Sequence, residues 1–269
     1  MPNKIIRVRT AACAKKTSGW LQKLLEERDL DVVMGDKKCD AIVCYGWGID
    51  ENPNQLPILN ATAGRLTNLQ QLTRLNEGGI PIPKLVTDIR KADFATLKFP
   101  LLARAERHDG GGWDIQPVLQ AEEMEWRKAA GAKYFTEYVP RKTEYRLWVY
   151  RRRVQATYEK LMKHPEKYKK IGANYEDGFE HTYMDSRNVP ADLRTIAAKA
   201  VHVMGLDFGG VDILLAKDGQ YRVLEVNSAS GANSDKAVGL VKLADSIAKW
   251  VQLGFPEQSK KFTGALDAD

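Results

Sequence analysis

Apolar positions change their spacing repeatedly along this chain, and each change marks an element. Lys4 to Val8 reads as a short buried strand. Ser18 stands as an N-cap for a helix reaching about Arg28, with Leu21, Leu24 and Leu25 as its apolar stripe. Val32-Val33, Ala41 to Tyr45 and Pro57 to Asn60 read as further strands, and Gly46-Trp-Gly48 forces a sharp turn after the second. That order predicts a small α/β domain with a mostly parallel sheet. Leu66, Leu69, Leu72 and Leu75 then mark a helix from about Arg65 to Glu77, stopped by Gly78-Gly79.

Beyond the extended Ile80-Pro-Ile-Pro83, strand patterns recur at 99–104, 113–118, 134–139, 144–150 and 154–161, with a short helix at 121–130. His108 to Trp113 reads as a glycine-rich hairpin loop and 162–180 as a long loop without periodicity. Phe179 to Met184 reads as a strand. Pro190 opens a helix to Met204, with Leu193, Ala197 and Val201 on its apolar face, and another runs from about Ser234 to Leu253. Between these two helices lies the most regular alternation, Gly209 to Asn227, interrupted by Asp218-Gly219. Asp-Gly between apolar runs predicts a β-hairpin with a two-residue loop. Lys217 then pairs with Gln220, and Asp212 falls opposite Glu225. Asn227 leaves from the same face as Glu225. Val211, Ile213, Leu215, Leu224 and Val226 form the core face.

Like charges opposed in a ladder destabilise it by up to about 1 kcal/mol. Asp212 and Glu225 therefore call for a positive partner, and a divalent metal with oxygen ligands fits. A solvated outer face carrying two acids by accident is the other reading of the same pattern.

At 269 residues, 43% hydrophobic and 28% charged, the composition is that of a soluble globular protein. No apolar run approaches the length of a membrane span, and the N-terminus lacks the pattern of a signal peptide. The three cysteines, Cys13, Cys39 and Cys44, lack metal-type spacing and read as reduced thiols in the cytoplasm. Four histidines without a His-Glu-x-x-His pair argue against a zinc enzyme. Net charge is +6, yet residues 141–170 alone hold eleven Lys and Arg against three Glu. That stretch suits an anionic ligand, either a nucleoside triphosphate or a nucleic acid.

Three local patterns carry further chemistry. The loop of Gly110, Gly111 and Gly112 joins two strands, so it is neither a Walker loop nor a dinucleotide fingerprint, though its amides can wrap phosphate oxygens. Glu144 and Arg146 share one strand face, placed either for a ligand anion or for a cross-strand ion pair. Arg151-Arg152-Arg153 reads as a solvated turn.

The order of these patterns is more specific than any one of them. A glycine hairpin, the strand Thr136-Glu-Tyr-Val139, Glu-x-Arg, then Gly-Gly-Val-Asp-Ile and Leu-Glu-Val-Asn-Ser-Ala-Ser-Gly follow one another. This arrangement resembles the ATP-grasp superfamily over roughly residues 60–253, in particular the ribosomal-protein glutamate ligase branch and related carboxylate–amine ligases. The resemblance implies an α/β (α+β) fold in which two α+β subdomains clamp ATP behind a small α/β N-terminal domain. It divides the chain into 1–62, a central subdomain 63–138, a C-terminal subdomain 139–256 and a tail 257–269.

It also implies roles. Asp212, Glu225 and Asn227 would hold Mg²⁺, as a pair of ions that Mn²⁺ could replace. Gly110 to Gly112 would cover the ATP phosphates. The backbone of Glu137, Tyr138 and Val139 would read the adenine edge, and Glu144 the ribose hydroxyls. Arg146 would steady an acyl phosphate, and Asn174 matches the substrate-loop asparagine. Arg65 and Arg104 stand where the family usually has lysines, and Ser230 where it has proline. The expected activity is ATP-dependent amide formation between a small-molecule or peptide carboxylate and an amine. Two rivals are a catalytically silent nucleotide-binding protein and a basic nucleic-acid binder.

Overall fold

The computed structural model describes residues 4–35, 37–88, 90, 96–106, 116–129, 131–162 and 179–257. β1 (Ile5–Thr10), β2 (Asp31–Val33), β3 (Ala41–Tyr45) and β4 (Ile58–Leu59) form a sheet in the order β2-β1-β3-β4. Every pairing in it is parallel. β3 is buried at all five positions, as a strand covered on both faces must be. The helix α1 (Lys15–Glu26) packs Leu21, Leu24 and Leu25 into the core beside it.

The helix α2 (Asn68–Glu77) comes next in the chain. A second sheet, order β5-β8-β6-β7, is built from β5 (Leu85–Val86), β6 (Leu101–Arg104), β7 (Gln116–Val118) and β8 (Tyr134–Glu137). It has its own small core, in which Leu101, Ala103, Val118 and Phe135 pack with Met124 of the helix α3 (Glu122–Ala129). Although α2 precedes this sheet in sequence, it lies against the third.

That third sheet carries the chemistry. It is antiparallel throughout, in the order β11-β10-β9-β12-β13. Its strands are β9 (Arg141–Tyr150), β10 (Arg153–Met162), β11 (Phe179–Met184), β12 (Phe208–Ala216) and β13 (Tyr221–Asn227). Alternation decides what each face meets. Tyr145, Leu147, Val149, Val211 and Ile213 point toward the helix α4 (Ala191–Val203), where Leu193, Ala197 and Val201 are buried. Trp148 and Phe208 point the other way, joining the first sheet and the helix α5 (Val238–Gln252). A Cβ at Gly239 of α5 would lie 2.6 Å from the Trp148 ring, so the glycine is what lets helix and indole meet.

A buried amide fastens the first sheet to the start of β12. Asn60 is fully buried, and its Oδ1 accepts from the amides of Asp207 at 2.7 Å and Phe208 at 3.0 Å. Its Nδ2 donates to the Phe208 carbonyl at 2.8 Å. The Tyr45 hydroxyl donates to the carbonyl of Ser230, just past β13. Both ends of the hairpin are thus held from the N-terminal side.

Several sequence expectations shift at element ends. Ser18 is not a cap: α1 starts at Lys15, and the Ser18 hydroxyl donates back to the Lys15 carbonyl at 3.0 Å. α2 begins at Asn68 rather than Arg65, because Thr67 and Gln70 close a reciprocal capping box. α5 begins at Val238, not Ser234. Pro190 caps α4 with extended backbone instead of occupying its first turn. The turn at Arg151-Arg152 is not solvated. Both residues have positive φ, 44° and 72°, and Arg152 is buried. The Arg151 guanidinium lies 5.8 Å from the ring centres of Tyr150 and Trp250. No helix among the described residues is long and apolar enough to cross a membrane.

The hairpin itself differs in detail from the expected one. Ala216, not Lys217, pairs with Gln220, which gives a three-residue loop with Gly219 at φ 82°. A bulge between Asp212 and Ile213 then restores the register, so Asp212 does stand opposite Glu225. The bulge places Val223 in the core where Leu224 was expected.

Candidate functional site

Five side chains line up across five strands. Tyr183, Tyr158, Arg146, Asp212 and Glu225 are successive register partners on β11, β10, β9, β12 and β13. Two residues along on the same face lie His181, Lys160 and Glu144, also register partners. Asn227 completes the group, donating from Nδ2 to Glu225 Oε1 at 2.6 Å. The same alternation that buries Leu147 and Ile213 on the other face concentrates charge here.

Asp212 is the centre of the group. Arg146 grips it with two parallel bonds of 2.7 Å, Nε to Oδ1 and Nη2 to Oδ2. Lys160 donates to Oδ2 at 2.9 Å and to Glu144 Oε1. Arg141 Nη1 lies 3.3 Å from Glu144 Oε2. The side chains of Lys160, Glu144 and Asp212 are 4%, 5% and 6% exposed, so water screens these pairs little. The positive charge that the opposed carboxylates demand is thus supplied to Asp212 by the protein's own cations.

Burial alone would raise the Asp212 pKa, but Arg146 and Lys160 outweigh it and hold the carboxyl below its ordinary range. Glu225 goes the other way: burial and then the Asp212 charge push it up, against the pull of Asn227 and Arg146. Burial also works against the charge on Lys160, yet Asp212 and Glu144 leave its pKa raised. Burial, with Arg146 and Lys160, depresses His181 to about 4. His181 is therefore neutral at pH 7. In the unfolded chain it takes up a proton near 6.5, so stability from this group is present above that value and lost as pH falls toward 4. We expect His181→Gln to flatten the decline in urea midpoint between about pH 6.5 and 4 relative to wild type. An unchanged decline would contradict the assignment.

Asp212, Glu225 and Asn227 offer only hard oxygen ligands, the donor type that Mg²⁺ and Mn²⁺ take. Three bonds already fall on the Asp212 oxygens. A carboxylate has about four lone-pair positions, which leaves one on Asp212 for a cation. Glu225 keeps Oε2, and Asn227 its carbonyl oxygen. The donor set fits a divalent ion, with Arg146 and Lys160 as its competitors for Asp212.

The sequence pattern does not single out Lys160. A plain two-residue turn at Arg151-Arg152 would set Glu159 against Glu144. The structure has a bulge between Val154 and Ala156, and this shift puts Lys160 there instead.

Other expected residues lie apart from this group. Arg104 Nε donates to Thr136 Oγ1 at 3.1 Å within the second sheet. Arg65 donates to the Ile49 carbonyl and lies 3.2 Å from Asp50. It also lines a cleft with Gly46, Gly64, Gln71, Asn227 and Ser228. This cleft opens at the carboxyl ends of β1 and β3, where ligands bind in open α/β sheets. At the expected hinge, the amides of Glu137 and Tyr138 donate to Lys84 and Pro100 carbonyls at 2.9 and 3.0 Å. Gly110, Gly111, Gly112 and Asn174 lie outside the described residues.

Comparison with known proteins agrees with this architecture. Residues 143–251, the segment holding the buried charged group, match the RimK-like ATP-grasp domain. No match to a curated protein sequence is found. Among solved structures, the ATP-grasp ligase PsnB complexed with a minimal precursor superposes with a TM-score of 0.66 at 14% identity, covering 93% of this chain and 99% of that one. A RiPP-associated ATP-grasp ligase from Chryseobacterium gregarium, in complex with ADP and a leader and core peptide, gives 0.63 at 14% identity over 95% and 98%. N5-carboxyaminoimidazole ribonucleotide synthetase from Thermotoga maritima gives 0.59 at 13% over 96% and 78%. The chain has the ATP-grasp fold, and its site-bearing part is similar to the RimK-like domain.

Proposed function

We propose that this chain is an ATP- and Mg²⁺-dependent carboxylate–amine ligase. The observation that carries the proposal is the cross-strand row of Arg146, the buried Asp212 and Glu225, with Asn227 beside it, in the segment that matches the RimK-like ATP-grasp domain. The reaction has two parts. An oxygen of the substrate carboxylate bonds to the γ-phosphorus of ATP as the bond to the β-phosphate oxygen breaks, giving an acyl phosphate and ADP. The amine nitrogen then bonds to the acyl carbon, inorganic phosphate departs, and the nitrogen loses its proton to give the amide.

Asp212, Glu225 and Asn227 would hold the metal, which when bound neutralises phosphate charge. Arg146 has Nε and Nη2 committed to Asp212, so its Nη1 is the donor left for a phosphate oxygen. Glu144 is fixed by Lys160 and Arg141, which sets it as an oriented acceptor for a ribose hydroxyl. Backbone recognition of the adenine edge falls to the Val139 amide and to carbonyls of the strand end, since the amides of Glu137 and Tyr138 are engaged. The cleft beside Asn227, with Arg65 in its lining, suits an acidic acceptor, whether peptide or small molecule. Gly110 to Gly112 and Asn174 belong to this proposal as phosphate cover and substrate-loop contact, Arg104 as a phosphate brace. No side-chain nucleophile is needed, because positioning and charge stabilisation supply the catalysis.

ADP formation tests the reading. Screening amine and carboxylate pairs should uncover ADP release that requires both partners and Mg²⁺. Tight nucleotide binding with no turnover across a broad screen would point to a silent binding protein instead.

A further inference from the structure

Among the described residues, β10 is paired along only part of its outer edge. β11 covers it from Thr157 to Met162 and ends at Met184, where the chain leaves toward α4. From Arg153 to Ala156 that edge opens instead into a groove. Arg194 of α4 lines one side of the groove, and Lys242, Ser246 and Lys249 of α5 line the other. An edge strand between two helices offers its backbone groups to a further strand.

The lining is electropositive. Asp245 is its acidic member, and Arg28 of α1 already pairs with it at 2.6 Å. The nearby Asp185 is bridged to Arg187 at 2.7 Å. Lys242, Lys249 and Arg194 are left to set the sign of the groove. Thr157 and Arg194 add polar side chains to its wall. Val154, Met184 and the exposed Tyr183 add apolar surface.

We infer that this groove docks an extended, acidic polypeptide segment that adds as a strand to the Arg153–Ala156 edge. Backbone pairing gives the segment its register. Its acidic side chains meet Lys242, Lys249 and Arg194. A nucleic acid fits less well, since Tyr183 is the sole aromatic in the lining among the described residues and base stacking needs such platforms. None of Arg146, Lys160, Asp212 and Glu225 lines the groove, so the inference stands apart from the ligase reading.

Fluorescence anisotropy with a labelled peptide of alternating Glu and Val, about eight residues long, tests it on the full chain. The parent peptide should bind. The Lys242→Glu, Lys249→Glu double variant should weaken it about tenfold or more while leaving ADP formation at the wild-type level. A peptide of the same sequence with alternate amides N-methylated should weaken it comparably, because it cannot complete a ladder. Failure of the parent peptide to bind would overturn the inference, as would equal binding of the N-methylated peptide or of the double variant. Displacement of the peptide by a single-stranded oligonucleotide of equal charge and higher affinity would reassign the groove to nucleic acid.

Discussion

Lys160→Met is expected to lower the melting temperature by roughly 5–10 °C without changing the fold. Lys160 is the only cation that touches both Glu144 and Asp212 among the described residues. Removing one member of a buried ion group leaves its partners desolvated and undercompensated, at a cost of about 3–5 kcal/mol. Arg146 still holds Asp212 and Arg141 still faces Glu144, which places the loss at the low end of that range. A second change, Glu144→Gln, should recover part of the loss, because the orphaned carboxylate is gone. The acid limb of the stability curve should move as well. Asp212 has a folded pKa below its unfolded value, so its contribution is present above about 3.8 and lost as pH falls below it. Without Lys160 that depression shrinks, and the variant should depend less on pH there. A melting temperature indistinguishable from wild type would show that Arg146 alone balances the group.

Glu225→Ala should behave in the opposite way. Burial and the neighbouring Asp212 charge already disfavour its ionised form. Removing it costs little stability, so the melting temperature of the free protein should stay near wild type. Its loss frees the Asn227 amide from one partly exposed hydrogen bond and takes away a ligand for a bound cation. Nucleotide affinity in the presence of Mg²⁺ should therefore fall by at least about a hundredfold. Affinity without Mg²⁺ should hardly change. Isothermal titration with and without the metal separates the two, and unchanged Mg²⁺-dependent affinity would count against the metal assignment. Together the two variants distinguish a side chain that holds the site together from one that waits for a ligand.

Much of this site is legible in the residue pattern, although partly through offsetting errors. Simple alternation from a two-residue loop at Asp218-Gly219 sets Asp212 opposite Glu225. The loop has three residues, and a bulge beside Asp212 takes the extra residue back. Register near the charges therefore comes out right, while the core face beyond the bulge does not, with Val223 buried in place of Leu224. Bulges have no strong local signature, because they answer to packing across the whole sheet. The second bulge, near Gln155, hides Lys160 altogether. Its strand is recognisable, but without the shift its alternation faces the wrong partner. Arg151-Arg152 escapes for a related reason: a turn with positive φ at two arginines is unusual, and the Trp250 ring that receives Arg151 is distant in sequence. The parallel N-terminal sheet, by contrast, follows from strand, helix and strand spacing alone.

The pattern also leaves the balance of charge unresolved. It implies that the opposed carboxylates require a cation, and a metal is one candidate. Arg146 and Lys160 already occupy much of Asp212, so in this arrangement a metal enters by competition rather than into a void. Glu-x-Arg admits either a ligand clamp or a cross-strand ion pair, and the geometry of Arg146 makes it at least the second.

The central claim is that a carboxylate is activated by phosphoryl transfer from ATP. Hydroxylamine trapping addresses it whatever the natural amine is. The protein, ATP, Mg²⁺ and a pool of carboxylic acids and acidic peptides are incubated with hydroxylamine, and products are read by mass spectrometry. The account predicts a hydroxamate of one acid, formed in step with ADP and phosphate and absent in Glu225→Ala. A hydroxamate formed with AMP and pyrophosphate, or ADP released with no hydroxamate from any acid, would contradict it.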